Sequence, residues 1–246
     1  MSLDDLTTVL IPTSPIPAHP STEMIEKCVD SVRRYFPSAQ MYIMADGVRP
    51  QIENRRAQYA EYVHNLFDRC TDGRFGQCEV RAFPDFSQQA IMARRTLEGV
   101  ERPLVLFVEH DVTLRAEPAL NFNAIASIIM RGHANMVRLY HWEKIWHEHT
   151  HLMCGEIEHN GVKFIKTTQY SQWPNMGSLD YYRRILNNYF QPSQRNMIET
   201  VMYGPVCGAP WESHKIVIYA PENMDTFVHM NGRVDERTGK RDPGDW

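Results

Sequence analysis

Four apolar runs, separated by segments of helical periodicity, fill the first 114 residues and constrain the fold more than any other feature of the chain. "TTVLIPTSPIP" (7 to 17) contains a short buried strand at Val9 to Ile11, stopped by prolines. A helix follows, capped near Ser21 or Thr22 with Glu23 in its first turn; Ile25, Cys28, Val29, Val32 and Phe36 recur at helical spacing as its apolar face. "AQMYIMADG" is a second strand ending at Asp46-Gly47. A second helix spans about 51 to 69, with Tyr59, Tyr62, Val63, Leu66 and Phe67 inward. "CEVRAFP" (78 to 84) is a third strand, and a third helix, about 86 to 99, carries Arg94 and Arg95. "PLVLFVEHDVTL" (103 to 114) is the fourth strand. A β-α-β-α-β-α-β order predicts an α/β fold with a mostly parallel central sheet and helices on both faces. In such sheets the ligand crevice lies beyond the carboxyl ends of the strands, so Pro12-Thr13, Asp46-Gly47, Pro84-Asp85 and Glu109-His110-Asp111 are expected along one edge.

The second half is less regular. "ANMVRLYHWEKIWHEHTHLM" (134 to 153) reads as a strand entering a polar, aromatic segment. Residues 162 to 190 read as a strand, a proline-containing loop and a helix from about Leu179; "NMIETVMYGPV" reads as a short helix or turn, and "KIVIYAP" as the last strand. The tail "RVDERTGKRDPGDW" is polar and reads as loop. With no repeat and no linker, the 246 residues are expected to form a single domain, about 1–114 as one half and about 115–246 as the other, with the C-terminal tail.

At 43% hydrophobic and 23% charged residues the chain has enough apolar material for a sizeable core. A net charge of -4 advertises no general affinity for nucleic acid, although Arg183, Arg184 and Arg195 could form a local basic face. No run of roughly 18 apolar residues predicts a membrane span, and no basic-then-apolar leader opens the sequence. Five scattered cysteines without a CxxC suit a reducing compartment, so a cytoplasmic location is expected.

Two carboxylates one residue apart, Glu109 and Asp111, at the mouth of a parallel sheet can hold a hard divalent cation, or can simply solvate a strand end. The context resembles a known family. An opening "VLIPTSP", an acidic "MADG" after the second strand and "LVLFVEHD" at the fourth look like a glycosyltransferase of the GT-A fold, with Glu109-His110-Asp111 in place of the Asp-X-Asp motif. The pattern covers residues 7 to 114 and continues more loosely over 160 to 235. It implies an enzyme that moves a sugar from a nucleotide-diphosphate sugar to an acceptor hydroxyl with Mn²⁺ or Mg²⁺. Glu in place of the first Asp departs from the commonest motif, and metal-independent members of this fold exist.

By that resemblance Pro12 and Thr13 line the nucleotide pocket through backbone contacts, and Asp46 meets the base or ribose. Arg94 or Arg95 faces the nucleotide or diphosphate. Glu109 sits near the ribose or the metal, Asp111 ligates the metal, and a late His229 is a further ligand, with Arg233 on the diphosphate. "MIETVMYGP" resembles the segment that supplies the base of inverting members, which makes Glu199 the candidate base. "TTQYSQWPNMGSLDYY" combines aromatic and amide groups suited to an acceptor, with Trp173 as the stacking residue. The acceptor itself stays open between a saccharide, a small metabolite, a protein and a hydroxylated DNA base, and the oligomeric state is open too.

Two other readings compete. In "HWEKIWHEHTH", His147, His149 and His151 would share one face of a strand near His141, as in a His-based zinc hydrolase with Glu148 or Glu143 as base. A non-catalytic nucleotide-binding module would keep the sheet but would not need the acidic motif, the late His and a base together. Neither GxxxxGKS/T nor GxGxxG occurs.

Overall fold

The structure, a computed structural model, describes residues 2–230 together with the backbone of the short strands β12 (Val234–Asp235) and β13 (Lys240–Arg241). Arg233 lies outside the described residues.

After a single helical turn, α1 (Leu3–Leu6), the predicted alternation is present: β1 (Thr7–Thr13), α2 (Glu23–Arg33), β2 (Gln40–Ala45), α3 (Arg56–Thr71), β3 (Cys78–Ala82), α4 (Gln88–Leu97) and β4 (Leu104–Phe107). The four strands are parallel in the order β3-β2-β1-β4. The apolar face expected of α2 is buried at every position. Thr22 stands at its N-cap, but the Thr22 hydroxyl donates to Glu26 at 2.6 Å instead of accepting from a backbone N–H. The second helix begins as a 3-10 turn, Pro50–Arg55. Phe67, read as inward, is exposed, because the buried stripe of α3 is Tyr59, Tyr62 and Leu66.

Beyond β4 the chain continues through β5 (Val112–Leu114), α5 (Phe122–Met130), β6 (Met136–Arg138), β7 (Met153–His159), β8 (Val162–Thr167), β9 (Asn175–Ser178), α6 (Leu179–Tyr189), α7 (Ile198–Cys207), α8 (Trp211–His214), β10 (Ile216–Tyr219) and β11 (Phe227–His229). The central sheet has nine strands in the order β3-β2-β1-β4-β9-β6-β10-β8-β7. β9 runs antiparallel to β4 and β6, and β8 antiparallel to β10 and β7, so antiparallel strands are inserted among the parallel ones.

Strand alternation sorts the core into two layers. Val9, Ile11, Leu104 and Leu106 meet buried residues of α2, α3 and α5; Leu10, Val105 and Phe107 meet those of α4, α6 and α7. Both faces of the parallel part are therefore covered, which is why β1 and β4 are buried end to end.

Several elements depart from the reading: the stretch read as one fourth strand, 103–114, is divided between β4 in the main sheet and β5 outside it, α5 and β7 were not foreseen, and the tail read as loop carries the short strands β12 and β13. Asn175–Ser178, read as part of a proline-containing loop, is β9. Met176 is its one large apolar residue, so it carries no strand pattern; it forms because the free edge of β4 needs a partner. "KIVIYAP" is not the last strand, since β11 follows and pairs antiparallel with β5 outside the main sheet.

Candidate functional site

The carboxyl ends of the first strands surround one pocket. Pro12, Thr13 and Ser14 contribute from β1, Asp46 and Arg49 from the loop after β2, Phe86 from the loop after β3, and Glu109, His110 and Asp111 from the end of β4. Gln88, Gln89 and Met92 of α4, with Met197, complete the wall. The loop after β3 reaches the pocket through Phe86, because the Asp85 backbone packs on Gly47: a Cβ at position 47 would lie 2.2 Å from the Asp85 carbonyl carbon. That close approach requires glycine.

Asp46 organises this wall. Its Oδ1 accepts from the backbone N–H of Gly47 at 2.8 Å and of Ser87 at 2.6 Å, and its Oδ2 accepts from Gln88 N–H at 3.1 Å. Burial pushes its carboxyl above the usual range, against the three N–H bonds that favour the charge. The bonds also pin Gln88, whose φ of 60° is left-handed and uncommon for a non-glycine residue. Thr13 is anchored from α3, its hydroxyl 3.0 Å from the Tyr62 hydroxyl and its carbonyl accepting from Tyr59 at 3.3 Å.

At the other side of the pocket Glu109, Asp111 and His229 bring one ligand atom each to within 4.8 Å of one another. The arrangement depends on strand register. β11 pairs with β5 so that His229 lies opposite Val112, and Met230 N–H closes the ladder onto the Asp111 carbonyl at 2.7 Å. β5 is itself held to α2, Leu114 N–H donating to the Ser31 hydroxyl at 3.0 Å. The His229 Nε2 then lies 3.2 Å from Asp111 Oδ2. Burial alone would raise the Asp111 carboxyl, but the bond to His229 and the charges of His110 and His229 hold it well below the usual range. Glu109 Oε1 accepts from Gln89 Nε2 at 2.8 Å, which orients the carboxylate. Two carboxylates and an imidazole form a donor set that suits Mn²⁺, and Mg²⁺ through its oxygens.

Arg94 is not brought to the pocket. Its guanidinium donates to the Leu186 and Phe190 carbonyls at the end of α6, capping a helix whose last turn has no basic residue of its own. Arg95 is exposed. The arginine at the pocket is Arg49, 5.5 Å from the centre of the Phe86 ring. Its position three residues after Asp46, beyond a strand end, was the signal that could have found it. Gln89 and Met197 had no comparable signal.

Glu199 lies in the first turn of α7, two residues after Met197. Its Oε2 accepts from Gln172 N–H at 2.9 Å and from the Ser171 hydroxyl at 3.3 Å, which holds the loop that carries Trp173. Buried Arg138 feels the same carboxylate: burial lowers its pKa to about 10 while the Glu199 charge opposes the shift. The Trp173 ring packs against His141 at 4.1 Å and Phe227 at 5.9 Å, so it stands beside the strand that carries His229.

The histidine-rich segment is not a strand. His147–Leu152 forms a 3-10 turn, so His147, His149 and His151 do not share a strand face. Among the described residues, the His, Cys, Asp and Glu side chains disposed for a metal ion are Glu109, Asp111 and His229.

No family model and no curated protein matches the chain. Solved structures do. S. aureus TarS 1–349 in complex with UDP-GlcNAc is 13% identical with a TM-score of 0.55, over 91% of this chain and 60% of that one. S. aureus TarS 1–349 alone gives 12% identity and a TM-score of 0.55, over 90% and 59%. A nucleoside-diphosphate-sugar pyrophosphorylase from Vibrio cholerae RC9 gives 14% and 0.50, over 86% and 91%. The chain thus spans about three fifths of the TarS 1–349 chains it matches. At these identities the likeness is one of architecture: the chain has a GT-A-like α/β fold.

Proposed function

We propose that the chain is a glycosyltransferase that moves a sugar from a nucleotide-diphosphate sugar to an acceptor hydroxyl with help from a divalent metal. The observation that carries the reading is the Glu109–Asp111–His229 group at the rim of a pocket built from parallel strand ends. Carriage of UDP-GlcNAc by one fold neighbour is in keeping with it.

In this reading Pro12 and Thr13 present backbone to the nucleotide. Asp46 shapes the base and ribose side of the pocket, and Arg49 adds positive charge there. Asp111 and His229 hold Mn²⁺ or Mg²⁺, and Glu109 completes the set beside the ribose. When bound, the ion neutralises charge developing on the leaving nucleoside diphosphate. Arg233 follows His229 closely enough in sequence to meet the same diphosphate. Glu199 is the base: both protein donors fall on Oε2, which leaves Oε1 to take the acceptor proton as the hydroxyl attacks the anomeric carbon.

The test is calorimetry with nucleoside diphosphates and Mn²⁺, followed by a panel of nucleotide sugars scored for diphosphate release. Asp111→Asn abolishes metal-dependent binding while circular dichroism stays native. Glu199→Gln binds normally and transfers about 10²- to 10⁴-fold more slowly. Unchanged binding in Asp111→Asn removes the metal assignment. Normal turnover in Glu199→Gln, or a product of retained configuration, removes the base.

A further inference from the structure

Three of the five tryptophans of the chain gather outside the pocket. Trp142 and Trp146 are stacked, 4.4 Å between ring centres and 21° between planes, and Trp173 lies 5.0 Å from Trp142. His141 fills the angle, 3.6 Å from Trp142 and 4.1 Å from Trp173. The assembly is fixed from below. Trp146 N–H donates to the buried Tyr140 hydroxyl at 3.1 Å, and Tyr140 is tied through its own backbone N–H and carbonyl to the Thr226 hydroxyl.

Core packing accounts for only part of it. Trp173 packs against the main core and, with Trp142, flanks a small cluster of Tyr140, Ile218, Ala220 and Met224, while Trp146 keeps 46% of its surface exposed. Trp142 and Trp173 are half-buried and Trp146 is exposed, and a group of indoles open to solvent on one side is suited to stacking on a ligand. Its position joins the two chemical groups of the site. His141 and Trp173 rest on Phe227, two residues before His229, and Trp173 follows Gln172, whose N–H is held by Glu199.

We infer that the Trp142–Trp146–Trp173 platform binds the acceptor, and that this acceptor is a neutral saccharide whose ring lies against the indoles; the inference rests on the transferase reading above. Charge selects the class. Between Leu139 and Leu152 the cation among Lys and Arg residues is Lys144 alone, against Glu143 and Glu148. Within this segment a polyanion such as nucleic acid finds no row of cations, whereas the C–H face of an uncharged pyranose needs only indole.

Saturation-transfer NMR decides the point. Methyl glycosides and disaccharides of neutral hexoses and N-acetylhexosamines are offered with Mn²⁺ and nucleoside diphosphate, and a hexathymidylate in parallel. At least one neutral saccharide is expected to bind, and Trp146→Ala and Trp142→Ala to weaken it about tenfold with nucleoside diphosphate affinity unchanged. Absence of any saccharide binding overturns the inference. So does saccharide affinity unchanged from wild type in both variants, or loss of hexathymidylate binding in place of saccharide binding. Failure of nucleoside diphosphate to bind wild type overturns the transferase reading instead, and the saccharide arm still judges the platform.

Discussion

Two neighbouring parts of the nine-stranded sheet are held by different kinds of interaction. Around β1 and β4 the interior is mostly apolar on both faces, the backbone groups are paired in the ladder, and the buried polar side chains are the threonines of β1, with Thr13 paired to Tyr62. Around β6 and β9 the interior holds polar side chains that need one another. Arg138 donates to the Gln169 carbonyl and amide oxygen, the Tyr182 hydroxyl donates to Asn175 Oδ1 at 2.6 Å, and Tyr170 donates to Gln172 at 3.0 Å. The first region is defined by volume, which many side chains can supply. The second is defined by matched donors and acceptors, which tolerate little change once water is excluded.

The largest expected effect probes volume. Leu106→Ala, at a fully buried position of β4, destabilises by about 3–5 kcal/mol in urea unfolding, whereas Leu106→Met costs less than about 1.5 kcal/mol. Next comes Tyr182→Phe, which removes one oxygen, keeps the ring and leaves Asn175 without its donor; its cost is about 1–3 kcal/mol. If Tyr182→Phe is neutral while Leu106→Met is costly, the contrast between the regions is wrong. Met230→Pro tests the separate β5–β11 ladder beside them by deleting the N–H that closes β11 onto Asp111. Mn²⁺ affinity, measured by calorimetry, is expected to fall about 10- to 100-fold; unchanged affinity shows that His229 does not depend on that pairing. The smallest effect concerns a polar exception in the first region. His19 is stacked on Tyr62 at 3.8 Å and kept neutral, burial pulling its pKa down to about 2. The unfolded chain takes up a proton near pH 6.5 and the folded one does not, so stability falls as pH drops through this window by about 1.4 kcal/mol per pH unit. Between pH 7.0 and 5.5 wild type should lose about 1.3 kcal/mol more than His19→Asn in urea midpoints converted to free energy; equal losses refute this account.

The same contrast explains what could be read from residues alone. β1, β2 and β4 are apolar runs bounded by prolines, glycine and acidic residues, and α2 shows its buried stripe in its spacing, because local periodicity matches burial when both faces of a sheet are covered. β9 and β11 show no such pattern, since each forms only where another strand leaves an edge to be paired. Arg94 looked like a pocket residue from its place before the motif strand. Its direction was decided by α6, nearly a hundred residues away, whose final carbonyls needed a donor.

By itself the sequence determined that a parallel α/β sheet would present Pro12, Thr13, Asp46, Glu109 and Asp111 along one edge, because hydrophobic period and strand order are local properties of the chain. Only the tertiary structure decided that Arg49 and Gln89 join them, that Arg94 does not, and that the indoles of Trp142, Trp146 and Trp173 meet. It also decided that His229 reaches Asp111, through the register of β11 on β5. Each of these depends on a contact between segments far apart in sequence, and such contacts are set by which edges and helix ends are left to be satisfied after the local elements have formed.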